Sequence, residues 1–188
     1  MKKTTRPHVL ALKGSAALAL ALSLLPAGAV TVNSTYIQNS ATEIRGQLGG
    51  YARPTVYVNQ RACGEPSPSA FACGPYTISV GTSFLQGQEN SYGNYVAKFI
   101  IAHEWGHSIQ FTRGINKRAP MQELQADCVG GTFAKYAQTT LRYPSFIESA
   151  VRSARAAADY AEHGTPSQRD YYSRYGYANG LNACLTRI

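Results

Sequence analysis

Two histidines spaced four residues apart inside an apolar segment constrain this chain more than any other feature. They form the pattern H-E-x-x-H with His103, Glu104 and His107. At about 100° per residue, helical positions four apart differ by roughly 40°, so both imidazoles share one face, one turn apart. The same face continues toward the start of the segment through apolar residues, namely Val96, Phe99 and Ile100. The sequence therefore predicts a core-facing helix whose two histidines point into the protein.

This spacing suits a metal site as well as a buried helix. Two imidazoles one turn apart can reach one metal ion, which makes His103 and His107 candidate ligands. Glu104 lies roughly 100° from one histidine and 60° from the other, beside the ligands, where a general base in metal-assisted hydrolysis is needed. Gly106 costs the helix about 1 kcal/mol relative to alanine, which indicates a close neighbour. The alternative is a buried helix with two hydrogen-bonded histidines and no metal.

A second helix, predicted to begin near Pro120, supplies the third candidate ligand. Glu123 and Asp127 lie four residues apart on one face. We expect this face, which continues through Gly130, Gly131 and Ala134, to pack against the histidine helix.

Catalytic zinc commonly takes two His and one Glu, so Glu123 is the candidate third ligand and Zn²⁺ the expected cofactor. Asp127 is a candidate acceptor for the other N–H of a ligand imidazole. An ordinary polar helix face is the alternative for this pair.

The first 29 residues have the pattern of a secretory signal peptide. An apolar run from residue 16 to residue 25 is followed by Pro26-Ala27-Gly28-Ala29, an A-x-A cleavage site. The run is too short for a permanent membrane span. We expect cleavage after Ala29 and one domain over residues 30–188, with an uncleaved N-terminal anchor as the alternative. Basic residues precede the apolar run: Lys2, Lys3, Arg6 and Lys13.

The net charge is less informative once this segment is set aside. The whole chain carries +8, but four of its 18 Lys and Arg residues lie in the signal, which leaves 14 against ten acids, or +4. No Lys/Arg cluster accompanies this modest charge, so we do not expect a nucleic-acid partner. The expected partner is a peptide or protein substrate, and the sequence leaves the oligomeric state open.

All four cysteines lie after the signal, and an even number in an oxidising compartment indicates two disulfides. Of the three pairings, we favour Cys63–Cys73, which closes a short Gly/Pro/Ser-rich loop, and Cys128–Cys184, which ties the C-terminal end to the core. In the chain-entropy model these bridges stabilise by roughly 3 and 4 kcal/mol. The expected location is therefore secreted, periplasmic or in the cell envelope.

The remaining pattern predicts an α+β fold with a small N-terminal sheet and a mainly helical remainder. Residues 61–75 are expected to form turns, and residues 81–93 to lead into the histidine helix. Strands are predicted at residues 54–59 and 76–80, and further helices at residues 31–51, 145–162 and from Thr165 onward.

His163 is the remaining histidine after the signal outside the H-E-x-x-H motif, and two roles are open for it. It either ends the predicted helix over residues 145–162 as a cation favoured by the helix dipole, or donates a hydrogen bond to a carbonyl oxygen that gains negative charge during hydrolysis. Arg169, one turn into the next helix, is expected to stand behind the metal ligands, as Asp127 does, and to hold this histidine or a substrate carboxylate.

Several segments together resemble the neutral zinc metallopeptidases of bacterial envelopes. They are A-H-E-W-G-H-S-I-Q at residues 102–110, E-L-Q-A-D-C-V-G-G at 123–131 and H-G-T-P-S-Q-R at 163–169. The cysteine-bracketed block at residues 63–73 and Cys184 also match, so the resemblance covers approximately residue 51 to the end. Three departures stand out. Ser108 replaces a second consecutive histidine, the strand after Cys73 lacks an acidic residue, and the N-terminal region is short.

The resemblance implies a zincin-like fold in which His103, His107 and Glu123 bind zinc and Glu104 is the catalytic base. None of the departures removes one of these residues. The sequence thus predicts an exported zinc metallopeptidase that hydrolyses peptide bonds. Two alternatives remain: a non-catalytic, zinc-stabilised binding module of the envelope, and a hydrolase of cell-wall peptides. An intact Glu104 argues against the first, since a purely structural site does not need it.

Overall fold

The computed structural model describes residues 28–64 and 69–188, so most of the predicted signal peptide lies outside the described residues. Within them the chain forms six α-helices and three short β-strands. In chain order these are α1 (Ser34–Leu48), β1 (Thr55–Val58), β2 (Ala70–Ala72), β3 (Thr77–Val80), α2 (Thr82–Tyr92), α3 (Val96–Arg113), α4 (Met121–Thr139), α5 (Ile147–Ala156) and α6 (Pro166–Arg187). The predicted α+β class, mostly helical with a small sheet, is confirmed.

The three strands form one sheet in the order β1-β3-β2. β1 runs parallel to β3, with Val56 opposite Ile78, and β2 runs antiparallel to β3, with Phe71 opposite Ser79. Ile78 and Val80 of the middle strand are fully buried, so the sheet packs one face onto the helices. Because β2 pairs only with β3, it is an edge strand of this sheet. Its first residue, Ala70, is 9% exposed.

The histidine helix α3 is the central element of the fold. It packs against α1, α2, α4 and α5 and against strands β2 and β3. It ends at Arg113, and the next residue, Gly114, adopts a left-handed φ of 62°, which ends the helix and lets the chain turn away. Because neighbours cover it on several sides, polar residues as well as apolar ones are buried along it, including both histidines, Glu104 and Lys98.

The helices α4 and α6 approach each other closely at two glycines. A methyl group at Gly131 would overlap the carbonyl oxygen of Ser173 in α6, and one at Gly176 would overlap the carbonyl oxygen of Cys128 in α4. The prediction that Gly131 faces the histidine helix is therefore wrong. Gly130 does face that helix, against Phe99, because consecutive helical positions point about 100° apart and so meet different neighbours.

The predicted helix over residues 145–162 is also too long, since α5 ends at Ala156. The Asp159 side chain accepts the backbone N–H groups of Glu162 and His163, and Tyr160 adopts a φ of 66°. Both features replace helical hydrogen bonds with a local turn. Two elements were not predicted: the strand β2, which lies in the turn-rich segment, and the polar helix α2.

Both favoured disulfides form. The Cα atoms are 5.6 Å apart in Cys63–Cys73 and 5.7 Å apart in Cys128–Cys184. Two disulfides are typical of a protein that matures in an oxidising environment. Across the described part of the chain, the structure contains no helix with the length and apolarity that a membrane crossing requires.

Candidate metal centre

A close contact between α3 and α4 brings the motif histidines next to Glu123. The contact is made at Gly106, where an added methyl group would lie 2.9 Å from Cα of Ala126. This accounts for the glycine inside an otherwise well-formed helix. One turn before Ala126, Glu123 then faces the imidazoles of His103 and His107, both of which are 8% exposed.

Three side chains converge on one point with spacings that fit a metal ion. Nε2 of His103 and Nε2 of His107 lie 3.2 Å apart. Oε2 of Glu123 lies 3.2 Å from the first nitrogen, and Oε1 of Glu123 lies 3.2 Å from the second. A tetrahedral zinc ion with bonds of about 2.0–2.1 Å has ligand atoms about 3.3–3.4 Å apart. His103, His107 and Glu123 can therefore hold a metal ion between them.

The other nitrogen of each imidazole meets an oxygen acceptor. Nδ1 of His103 lies 2.9 Å from Oδ1 of Asp127, and Nδ1 of His107 lies 2.9 Å from Oε1 of Gln110. With the proton on Nδ1, each ring presents the lone pair of Nε2 to the shared point. Asp127 occupies the predicted place behind His103. Gln110 was missed, although its position three residues after His107 on the same helix is a signal for such a contact.

Asp127 is in turn held by Arg169. Nε and Nη2 of the guanidinium each lie 2.7 Å from a carboxylate oxygen of Asp127, in the two-pronged arrangement typical of strong Arg–carboxylate pairs. Both side chains are buried. The structure thus places Arg169 behind the metal group, as a partner of Asp127. Its third nitrogen, Nη1, donates to the carbonyl oxygen of Ala157 at 3.3 Å, so the expected hydrogen bond from Arg169 to His163 does not form, and the expectation that Arg169 holds a substrate carboxylate stays a prediction.

The electrostatics of the group favour a cation at its centre. Burial alone would lower the pKa of His103, but hydrogen bonds to Asp127 and Glu123 outweigh it and raise the pKa to about 10. The pKa of His107 is raised as well, since its hydrogen bond to Glu123 outweighs burial. Burial opposes ionisation of Glu123, yet the two histidines hold its pKa far below the usual range. These shifts show that the three side chains favour positive charge between them, which a divalent cation can supply.

Glu104 stands beside the three ligands and faces a cavity of about 250 Å³. It accepts a hydrogen bond from the backbone N–H of Ala72 in the edge strand β2, and burial raises its pKa above the ordinary carboxyl value. The cavity is bounded by helices α2, α3 and α5, by the start of β2, by the segment between α5 and α6 and by Arg169 of α6. Its apolar walls come from Ala70, Phe84, Phe99, Ile100, Ala154 and Ala157.

His163 lies at the mouth of the same cavity. Its Nδ1 lies 2.6 Å from Oδ2 of Asp159, and its Nε2 lies 3.9 Å from Oε2 of Glu123. The side chain is 41% exposed. The alternative that His163 caps a helix is wrong, because α5 ends seven residues earlier. Asp159 was missed by the sequence analysis, although its spacing of four residues from His163 would have been the signal.

Comparisons with known proteins leave the family of this chain open. No protein-family model matches it, and no solved structure matches it. An uncharacterized protein of Mycobacterium bovis and one of Mycobacterium tuberculosis are each 26% identical to it over 187 residues, covering 74% of this chain. The chain spans 64% of the length of these relatives.

A shorter similarity links the chain to a Corynebacterium jeikeium protein named as a 2,3-bisphosphoglycerate-dependent phosphoglycerate mutase. The two are 32% identical over 109 residues, which cover 55% of this chain and 43% of that protein.

Proposed function

We propose that this chain is an exported, zinc-dependent metallopeptidase with a zincin-like arrangement of its active site. The observation that carries the proposal is the position of Glu104. It lies next to a group of two imidazoles and one carboxylate, and it faces a cavity large enough for a side chain. A purely structural zinc site is closed by four protein ligands, whereas three ligands beside an accessible cavity leave one position for reaction.

Zinc is the metal that the donor set favours. Two imidazole nitrogens and one carboxylate oxygen form the combination found in many hydrolytic zinc sites. Magnesium and calcium prefer an all-oxygen environment, which this group does not offer. The bonds behind the ligands, from His103 to Asp127 and from His107 to Gln110, orient both rings in the way that ligand histidines require.

The side chains around the metal group have different roles in the proposed hydrolysis. A bound zinc ion would act as a Lewis acid toward water and the peptide carbonyl. Glu104 takes a proton from the attacking water and delivers it to the leaving amine, a task to which its raised pKa is suited. Asp127 and Arg169 keep His103 in place, while the wall of the cavity limits the access of bulk water.

His163 is positioned to donate a hydrogen bond to the substrate. Asp159 holds its Nδ1, so Nε2 is directed toward the edge of the metal group near Glu123. A carbonyl oxygen there gains negative charge in the transition state, and an imidazolium, which carries a proton on both ring nitrogens, stabilises it through its Nε2–H. Replacing His163 by Ala should lower kcat by roughly 10²–10³-fold and leave zinc content and Tm nearly unchanged. Glu162→Ala, an exposed change in the same segment, serves as the control.

The edge strand β2 offers a place for the peptide backbone. The carbonyl of Ser69 accepts from the N–H of Gly81, and the N–H of Cys73 donates to the carbonyl of Thr77. In an antiparallel pair the backbone groups of successive residues point to opposite sides, so the N–H and C=O groups of Ala70 and Ala72 point away from β3. Ala72 N–H already meets Glu104. An extended peptide along this edge would place a side chain in the apolar cavity. We therefore expect peptides with a medium-sized apolar residue next to the cleaved bond.

The corynebacterial relative's name suggests phosphoryl transfer, but the site favours a cation. Phosphate sites are built from Arg, Lys and backbone N–H groups that face the anion. Here a carboxylate, Glu123, faces both imidazoles, and a second carboxylate, Glu104, flanks them. These charges would repel a phosphate group.

The experiment that tests the proposed function is removal and return of the metal during peptide hydrolysis. The purified protein is incubated with a peptide mixture, and cleavage products are identified by mass spectrometry. We expect cleavage to stop after treatment with a chelator and to resume on addition of Zn²⁺. A protein that contains stoichiometric zinc yet cleaves no peptide, including cell-wall peptides, would contradict the proposal and favour a binding module.

A further inference from the structure

A row of buried hydrogen bonds connects His107 to the C-terminal end of the chain. Nδ1 of His107 lies 2.9 Å from Oε1 of Gln110. Nε2 of Gln110 donates to Oε1 of Gln125 at 3.1 Å, and Nε2 of Gln125 donates to the backbone carbonyl of Cys184 at 3.0 Å. Gln110 is 3% exposed, and Gln125 and Cys184 are fully buried. The row therefore joins three elements, α3, α4 and the end of α6, away from solvent.

Backbone carbonyls fix the direction of every bond in this row. The carbonyl of Cys184 can only accept, so it requires the NH₂ group of Gln125. The oxygen of Gln125 is then left for the NH₂ group of Gln110, which also donates to the carbonyl of Gln122 at 2.8 Å. The oxygen of Gln110 must consequently accept from Nδ1 of His107. The imidazole thus carries a proton on Nδ1 and directs Nε2 to the metal position.

The two candidate ligand histidines are supported by different means. His103 is hydrogen-bonded to the carboxylate of Asp127, which is itself paired with Arg169. His107 depends on neutral amides whose last partner is Cys184. The helical geometry of α6 is interrupted at Gly180, with φ 79° and ψ 175°, so the last residues are not held by one continuous helix. The disulfide to Cys128 in α4 is the covalent bond that holds Cys184 beside Gln125.

From this arrangement we infer that Gln110 and Gln125 are positioning residues for His107, and that the Cys128–Cys184 disulfide sets zinc affinity through them. The inference rests on the proposed zinc site. It assigns the disulfide a role in the metal site in addition to its contribution to stability. Cysteine oxidation in the exported chain would then be a condition for tight zinc binding.

The first test replaces Gln125 by Met, which keeps the length of the side chain and removes its hydrogen bonds. Zinc affinity is measured by competition of Zn²⁺ with a chromophoric chelator. We expect an affinity about 10–100-fold lower than in the wild type, the range observed for changes behind metal ligands. Gln47→Met is the matched control, since Gln47 also donates to a carbonyl of α4, that of Thr132, but has no contact with His107.

A second readout separates positioning from general destabilisation. In zinc-loaded protein with ¹⁵N-labelled histidine, NMR reports the Nδ1–H of each ligand. We expect Gln125→Met to accelerate solvent exchange at His107 and to leave His103, bonded to Asp127, unchanged. A variant with a lower Tm but unaltered zinc affinity and unaltered exchange at His107 would overturn the inference.

The disulfide is tested with Cys128→Ser/Cys184→Ser, and Cys63→Ser/Cys73→Ser is the control. We expect the first pair of changes to weaken zinc binding and to add little when combined with Gln125→Met, because both act through one row of bonds. Full additivity would contradict the inference. If this variant does not fold, the Gln125→Met result still decides. Failure of the wild type to bind zinc would instead count against the proposed function.

Discussion

At the scale of single residues, Glu123 and Asp127 show how one helix face supplies two different kinds of carboxylate. Glu123 meets Nε2 of both imidazoles, whereas Asp127 meets Nδ1 of His103 and is covered by Arg169. Glu123→Ala should therefore abolish tight zinc binding, since it removes one of three ligands. Asp127→Asn should lower zinc affinity or activity by about 10–100-fold. Isothermal titration with Zn²⁺ distinguishes the two.

A Glu123→Ala protein that binds zinc as tightly as the wild type would mean that the third ligand is a different residue. Glu162→Ala, an exposed change outside the group, controls for purification effects on metal content.

The raised pKa values of the two histidines give the metal site a defined pH dependence. In the metal-free protein, hydrogen bonds to Asp127 and Glu123 outweigh burial and raise the pKa of His103 to about 10, and the hydrogen bond to Glu123 raises the pKa of His107 as well. Zinc takes the deprotonated rings, so its binding should release protons and strengthen as pH rises. Calorimetry in buffers of different ionisation enthalpy measures the release. An affinity independent of pH would contradict this picture.

At the scale of elements, α4 and α6 pack so closely where they cross that there is no room for a side chain at Gly131 or Gly176. Gly131→Ala places a methyl group against the backbone of Ser173, a contact that the helices can relieve only by moving apart. We expect a loss of roughly 1–3 kcal/mol in the free energy of unfolding, as for other overpacked sites. Gly87→Ala in α2 is the control. A methyl group meets nothing within 4 Å there, and should stabilise by about 0.5–1 kcal/mol. Urea titration of both variants measures the difference.

Equal stability of the two alanine variants would show that α4 and α6 are not in close contact at Gly131.

The elements that the sequence predicted are those with strong local signals. α3 follows from its apolar stripe, and the start of α6 from the capping box at Thr165, which the structure contains. The end of α5 depends on a local turn, and the strand β2 depends on a pairing between distant residues. The hydrophobic periodicity of the sequence indicates neither of them. Asp159 ends the helical region through its own side chain, and β2 exists because β3 pairs with it.

The same distinction holds within the site. His103, Glu104, His107, Glu123 and Asp127 could be placed from helical spacing, because the first three lie on α3 and the last two on α4. Gln125 could not, since its partner Cys184 is 59 residues away in sequence. The pairing of Arg169 with Asp127 likewise follows from the packing of α6 on α4. Tertiary contacts determined which of the available polar groups meet.

At the scale of the whole molecule, the proposed site lies where separate parts of the fold meet. α3 and α4 provide the candidate metal ligands, and β2 lies next to Glu104. The segment between α5 and α6 contributes His163, which Asp159 holds, to the lining of the cavity. The Cys63–Cys73 disulfide closes the loop that contains β2, and the Cys128–Cys184 disulfide joins the end of α6 to α4.

In the proposed mechanism Glu104 is the base of a zinc-dependent hydrolysis and does not support the metal. Zinc content and peptide hydrolysis of Glu104→Gln, determined on the same sample, test this role. We expect one zinc ion per chain, as in the wild type, with hydrolysis reduced by about 10²–10⁴-fold. Loss of zinc from this variant, or hydrolysis at the wild-type rate, would contradict it.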